Sequence, residues 1–342
     1  MACYHPLKGF KLPLKTANGK DDYKVTGYDT VCVVSDDLKS WDALNFVPSH
    51  SHSVVITESI DIPCGQCIGC RLKRSRDWAT RCMLESSYHS SNTFLTLTYS
   101  DSNLPFNDYI DIDGVINQKS TLVKDDLQRF WKRLRKNLDS KGLPKIRYFG
   151  CGEYGSQTAR PHYHAIVFGL DVPDKKEFRK SGSGFMVYTS DWLNSIWKNG
   201  LVFVGSVTYE SCQYVAKYVV KKLTGDNADV YERYNFEPEF NVFSNRPGIG
   251  RDYFDSHAFD IYKNDELILS GGKTVPPPRY FDKCMDELDE ELMNGVKDRR
   301  AEVAEALKNA KMRQTSVSYQ DVLKAEERNV KRNFEKFQRN CV

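Results

Sequence analysis

Two imidazoles stand two residues apart in Pro161-His162-Tyr163-His164-Ala165-Ile166-Val167-Phe168. Aromatic and β-branched residues dominate the run, so it reads as a strand, on which side chains alternate between faces. His162 and His164 therefore share one face, and Tyr163 points to the other. Imidazoles placed this way can ligate one divalent ion, although such a pair also occurs as ordinary structural histidines. Glu153, in Gly152-Glu153-Tyr154-Gly155, lies on or just after the preceding predicted strand. If the two strands form a hairpin, its carboxylate reaches the same face. A His/His/carboxylate set leaves coordination positions open for substrate oxygens and suits Mg²⁺ or Mn²⁺ as a Lewis acid. A cupin-type site would need a Glu a few residues further on, where Ala165 to Leu170 stand instead.

The second candidate is Tyr214-Val215-Ala216-Lys217-Tyr218-Val219-Val220-Lys221-Lys222. On a helix, Tyr214 and Tyr218 put both phenols on one face, where Lys221 and Lys222 can join them, with Lys217 adjacent. A phenol with its ordinary pKa of about 10 is a weak nucleophile. Ammonium groups and a metal-held phosphate beside it favour the phenolate and neutralise charge developing on a phosphodiester. The plain alternative is an amphipathic helix with tyrosines at the core margin and lysines reaching for water.

The third is Cys64-Gly65-Gln66-Cys67-Ile68-Gly69-Cys70, a CxxCxxC knuckle with a fourth ligand in Cys3 or His5. This spacing suits a structural Zn²⁺ site; an iron–sulfur run of this type usually continues to Cys-Pro. Gly271-Gly272-Lys273-Thr274 mimics the end of a Walker A loop, but Leu267 occupies the position of its first glycine and Pro276 follows where a helix should start. No ATPase is indicated.

These groups need a scaffold. The chain has 342 residues, 40% hydrophobic and 28% charged, enough for a large core and two domains or one with additions. A mean hydropathy of -0.56, with no long apolar run and no apolar segment near Met1, predicts a soluble intracellular protein without membrane contact. Ten cysteines in such a chain argue against a disulfide framework. The net charge of +3 is uninformative, but basic residues cluster. Arg71, Lys73, Arg74, Arg76 and Arg81 form one group and Arg129, Lys132, Arg133 and Arg135 another, each suited to a polyanion or to a solvated helix face.

The first 60 or so residues read as irregular strands and loops, and Ile68 to His89 as a helix. Phe94 to Tyr99 reads as a strand, and a helix follows Asp125 as N-cap with Leu127, Phe130, Trp131, Leu134 and Leu138 as its stripe. Strands are predicted at Ile146–Phe149, Tyr163–Phe168 and Leu201–Val207. Ser190 opens a short helix, and another runs from Glu210 to Lys222. Val275-Pro276-Pro277-Pro278 makes a stiff linker before a charged helical tail. The expected fold is α+β, with a mainly antiparallel sheet flanked by helices. The expected divisions are residues 1–90 with the Cys knuckle and basic helix, a core at 91–272, and a linker and tail at 273–342.

A Thr-rich strand, an HxH strand and a YxxxY helix in this order resemble the HUH endonucleases, and in particular rolling-circle initiators with two tyrosines. Gly152-Glu153-Tyr154-Gly155 with Arg160-Pro161-His162-Tyr163-His164, and Tyr214 to Tyr218, are similar to microvirus replication initiation proteins. The Cys64–Cys70 knuckle with Cys3, and Arg246-Pro-Gly-Ile-Gly250, resemble the gokushovirus branch. The resemblance spans roughly residues 1–280. It implies a nickase in which Tyr214 and Tyr218 are nucleophiles, His162 and His164 (with Glu153) hold Mg²⁺ or Mn²⁺, and Lys221 assists, with Lys217 and Lys222 as rivals. It further implies a 5′-phosphotyrosine link and later rejoining of the displaced strand, in the cytoplasm of a bacterial host. Expected partners are single-stranded DNA, a duplex replication origin, and a host helicase and polymerase. Arg71, Lys73, Arg74 and Arg246 are the expected DNA contacts. The competing readings are a zinc-containing nucleic-acid-binding protein that does not nick, a plasmid replication protein or mobilisation relaxase of the same fold, and a hydrolytic phosphodiesterase independent of tyrosine.

Overall fold

The computed structural model describes residues 3–49, 52–155, 157–182, 184–217, 228–269 and 272–339. It divides into two compact units, one taking the chain up to Lys73 and again from Met312, the other Arg74–Lys311. The division thus falls at 73/74 and 311/312, inside the expected N-terminal region and inside the expected tail. The first unit holds two small antiparallel sheets. In one, Leu7–Lys15 lies between Asp21–Thr26 and Ser59–Ile62; in the other, Cys32–Ser35 lies between Asp42–Leu44 and Val54–Ile56. Phe10, Val33 and Trp41 form their buried core. The region expected to be irregular is therefore organised into strands. The helix Tyr319–Arg339 belongs to the same unit.

The second unit is built on a seven-stranded sheet. In chain order its strands are β1 (Asn92–Tyr99), β2 (Arg147–Tyr154), β3 (Pro161–Phe168), β4 (Lys176–Lys180), β5 (Met186–Thr189), β6 (Gly200–Ser206) and β7 (Phe240–Phe243). They lie side by side as β4-β5-β6-β1-β3-β2-β7, each pair antiparallel. The helices that matter here are α1 (Ile68–Ser86), α2 (Lys124–Ser140), α3 (Asp191–Trp197) and α4 (Tyr209–Lys217). The expected α+β architecture is the one observed.

Strict alternation on β1 assigns the two faces. Leu95, Leu97 and Tyr99 are buried and pack, with Tyr163, Ala165 and Val167 of β3, against Leu127, Phe130, Trp131, Leu134 and Leu138 of α2 and Leu193, Ile196 and Trp197 of α3. The α2 stripe is the predicted one, but the helix starts earlier than expected. Val123 is its cap residue, and Asp125 and Asp126 lie in the first turn, where carboxylates oppose the positive end of the helix dipole. Tyr99 donates its hydroxyl to Asp126 (2.9 Å) and lies 2.7 Å from the Tyr163 hydroxyl, which in turn accepts the Val123 N–H (2.9 Å). These bonds pin the start of α2 to the sheet. Ser190 caps α3 as predicted, accepting the Leu193 N–H at 3.0 Å. At Gly200, whose φ is +158°, a Cβ would stand 2.2 Å from the Thr98 carbonyl oxygen, so only glycine lets β6 begin against β1.

On the opposite face, Trp78, Ala79, Cys82 and Met83 of α1 and Cys212, Val215 and Ala216 of α4 cover Phe149, Cys151, Ile166 and Phe168. These residues occupy one end of β2 and β3. The other end of that face carries the site.

Candidate metal and nucleophile site

Strand register creates the site. Glu153 on β2 pairs with His162 on β3, Cys151 with His164, and these histidines pair with Thr98 and Thr96 of β1. Paired residues in an antiparallel sheet share a face, so the hairpin delivers the carboxylate to both imidazoles. Glu153 Oε1 lies 2.8 Å from His162 Nε2 and 2.9 Å from His164 Nε2. Ligand atoms at right angles and about 2.1 Å from an ion stand about 3 Å apart, so the three donors match a facial divalent site. Glu153 is 1% exposed and His164 5%, and His162 is partly open. Burial drives the Glu153 carboxyl up, but bonds to His162 and His164 outweigh it and hold its pKa at about 2. The carboxylate is thus kept ionised.

The far ring nitrogens are engaged as well. His162 Nδ1 lies 3.0 Å from the Arg160 carbonyl, which can only accept, so Nδ1 carries the proton and Nε2 presents a lone pair to Glu153. His164 Nδ1 lies 2.9 Å from Thr96 Oγ1, a group able to take the same role. Lone pairs facing a carboxylate oxygen at these distances require a proton or a metal cation between them. The donor set and its outer partners therefore fit a divalent ion.

Helix α4 brings Tyr214 to this cluster. Its ring centroid is 5.1 Å from that of His164, nearly perpendicular at 86°, and 6.4 Å from that of Phe94; the side chain is 38% exposed. Val215 and Ala216, buried beneath, hold the helix on the sheet and leave the phenol at the edge. Tyr218, Lys221 and Lys222 lie outside the described residues.

The four cysteines expected as a knuckle converge in the first unit. The sulfurs of Cys3, Cys64, Cys67 and Cys70 all lie within 4.8 Å of one another. Cys67 and Cys3 sulfurs are 3.9 Å apart, against about 3.8 Å for sulfurs on a tetrahedral zinc. Backbone N–H groups of Tyr4, Cys64 and Cys67 each point at a sulfur, at 3.3 Å. Burial opposes ionisation of Cys67, yet backbone donors at Cys70 and Tyr4 outweigh it and bring its thiol down to about 7; burial pushes Cys70 up to about 11. Gathering four thiolates here calls for a cation. His5 stands apart, with Nε2 on Glu327 Oε2 at 2.9 Å, so Cys3 completes the group.

The basic residues are less uniform than their spacing suggested. Lys73, Arg74 and Arg246 are exposed and Arg71 half-buried. Arg246 adjoins Pro247, whose carbonyl takes a bond from Arg147, and Arg147 is six residues (about 20 Å) along β2 from Glu153. Arg81 is not a solvated cation. It is 8% exposed, held between Trp78 and Tyr280 at 4.0 Å from each ring, and donates to the Ile249 carbonyl at 2.9 Å. Arg133 is spent on the carbonyls of Ile196 and Trp197 at the end of α3. Its helix α2 packs on the sheet face opposite Glu153.

Residues 92–223, from β1 through α4, match the replication-associated protein ORF2 family. The chain is 34% identical over 273 residues to replication-associated protein ORF2 of Spiroplasma virus 4, covering 78% of this chain and 81% of that one. It belongs to the phage replication-associated proteins. Other relatives in this family are replication-associated protein VP4 of Bdellovibrio phage phiMH2K (32% over 225 residues; 65% of this chain, 67% of that one) and ORF4 of Chlamydia phage 1 (29% over 287; 80% and 68%). No solved structure matches the chain. The microvirus-type resemblance read from the motifs agrees with this membership, and Glu153, His162, His164 and Tyr214 all fall inside the matched family segment. Among the described residues, no helix is long and apolar enough to cross a membrane.

Two residues of the site escape motif reading. Thr96 is visible only as one of several alternating threonines, and its bond to His164 depends on register. Glu85, an isolated acid in a basic helix, is 2% exposed and takes bonds from Arg147 and from the Gly250 N–H (2.6 Å). It anchors the start of the helix Arg251–Asn264.

Proposed function

We propose that this replication initiator nicks an origin strand by tyrosine transesterification. The observation that carries the reading is the Tyr214 ring against His164, beside the convergent Glu153 Oε1, His162 Nε2 and His164 Nε2. Tyr214 Oη would attack the scissile phosphorus, forming a Tyr–O–P bond and breaking the P–O3′ bond. The phenol proton is lost, the departing O3′ gains one, and the products are a 5′-phosphotyrosine link and a free 3′-OH. Bond energy is conserved, so no nucleotide is consumed in the nick. A Mg²⁺ or Mn²⁺ ion held by Glu153, His162 and His164 would draw charge from the phosphate oxygens and orient them for in-line attack. Thr96 and the Arg160 carbonyl hold the two imidazoles with their Nε2 atoms inward. Helix α4 holds the phenol at an edge that an extended strand can reach.

By resemblance, Tyr218 acts in the second cleavage that releases and circularises the displaced strand, with Lys221 beside it. Cys3, Cys64, Cys67 and Cys70 would hold a structural Zn²⁺. Duplex origin, host helicase and polymerase complete the proposed setting in the bacterial cytoplasm. The test is incubation of the full chain with single strands of its genome and Mn²⁺, followed by mass mapping of DNA-linked peptides. A link on Tyr214 or Tyr218 that disappears in Tyr214→Phe/Tyr218→Phe is expected. Cleavage that survives loss of both tyrosines would instead mean hydrolysis, and binding with no cleavage would mean a nucleic-acid-binding module.

A further inference from the structure

The face that carries the histidines continues past β1 onto β6, β5 and β4. Thr96 pairs with His164 on one side and with Phe203 on the other; Thr98 pairs with His162 and with Leu201. Phe203 and Leu201 therefore share the face of the metal ligands, one strand beyond β1. Phe203 pairs with Thr189, which pairs with Lys176, so β4 closes this face at the sheet edge. There a bulge between Glu177 and Arg179 turns the Phe178 ring onto Phe203, with centroids 5.2 Å apart and planes tilted by 42°. Among the described residues no helix packs on these side chains. Phe178 is 54% exposed and Leu201 49%.

Leaving aromatic and aliphatic side chains in water beside a polar site is costly unless something covers them. The charges nearby indicate what that is. Lys175 and Lys176 are met by Asp171 at 3.8 Å and Asp191 at 2.6 Å, whereas Arg179 and Lys180 make no ion pair among the described residues. Aromatic rings backed by unpaired cations, continuous with a site for phosphodiester chemistry, match the chemistry of unpaired nucleotides, whose bases stack while their phosphates pair.

We propose that the surface from Thr98 through Leu201 and Phe203 to Phe178 is a stacking platform for single-stranded DNA, with Arg179 and Lys180 holding phosphates at its outer edge. From His164 to β4 it crosses four strand spacings, about 19 Å, which accommodates a few nucleotides. The platform deepens the nicking reading by naming where the strand lies, but it can be tested without cleavage.

The probe is fluorescein-labelled (dT)20, with binding followed by anisotropy on the full chain and no divalent ion added. Phe178→Ala, at an exposed position that the fold tolerates, is expected to weaken binding about 10-fold, and Phe178→Trp to retain it. Arg179→Gln/Lys180→Gln should flatten the slope of log K against log salt by about 0.7 for each phosphate no longer neutralised. A 20-base-pair duplex should be indifferent to Phe178→Ala. Unchanged (dT)20 affinity in Phe178→Ala, or equal losses for duplex and single strand, overturns the platform. Wild-type protein that binds (dT)20 through Phe178 but never becomes linked to DNA would refute nicking and leave the platform standing. A tyrosine link that forms while Phe178→Ala binds normally would do the reverse.

Discussion

Replacing Thr96 with valine removes one hydroxyl and keeps the side chain's shape. In the wild type that hydroxyl lies 2.9 Å from His164 Nδ1, in surroundings where His164 is only 5% exposed. Without it, a proton on Nδ1 has no partner, at a cost of about 1–3 kcal/mol for an unsatisfied buried donor. The imidazole has an alternative. Moving the proton to Nε2 lets it donate to Glu153 Oε1, 2.9 Å away. That tautomer places hydrogen where a metal ion needs a lone pair, so relief of the local penalty competes directly with metal binding. Losing an outer partner of this kind lowers metal affinity about 10- to 100-fold. His162 cannot be probed in the same way, because its Nδ1 partner is the backbone carbonyl of Arg160. The assay is Mn²⁺ titration by calorimetry, alongside DNA-linkage rates across Mn²⁺ concentrations. Thr96→Val should need about 10- to 100-fold more Mn²⁺ and recover most of its maximal rate at saturation, and Thr96→Ser should behave as wild type. Wild-type Mn²⁺ affinity in Thr96→Val would refute the tautomer argument.

Three further outcomes are expected. Arg81→Met should cost about 2–4 kcal/mol in urea unfolding, since it removes the charged donor to Ile249 and the cation held between Trp78 and Tyr280, and should leave (dT)20 affinity unchanged; a stable variant with impaired DNA binding would return Arg81 to the basic surface. Removing metal from the cysteine group with a chelator should raise hydrogen exchange in the helix Tyr319–Arg339, because Leu323 packs on Tyr4 and Cys67 and His5 pairs with Glu327; unchanged exchange there would separate that helix from the metal. Metal retention at the cysteines should fall as pH falls, since each ligand must be a thiolate. Finally, burial raises the Tyr99 and Tyr163 pKa values well above 10, so their stabilisation is complete below about pH 10 and is lost as pH rises, when the unfolded chain ionises first. Tyr163→Phe should therefore lower stability at pH 7 by about 1–2 kcal/mol yet flatten its decline above pH 10, read by denaturant titrations across pH; an unaltered decline would show that Tyr163 is not among the groups responsible.

The sequence alone was enough for whatever depends on local period. Alternation put His162 and His164 on one face, a short hairpin brought Glu153 beside them, and the apolar stripe of α2 was legible because helical spacing repeats over few residues. Family resemblance came from the same short motifs. Pairings between residues far apart in the chain had no such signature. Cys3 rather than His5 joins Cys64, Cys67 and Cys70 because His5 is drawn to Glu327, 322 positions away. Arg81 leaves the basic surface because a carbonyl 168 positions away accepts its bond. Thr96 reaches His164, and Phe178 reaches Phe203, only once strand order is established. A side chain's type limits what it can do, but its desolvation and its partners are set by packing, and packing chose which of these cations and rings stayed in contact with water.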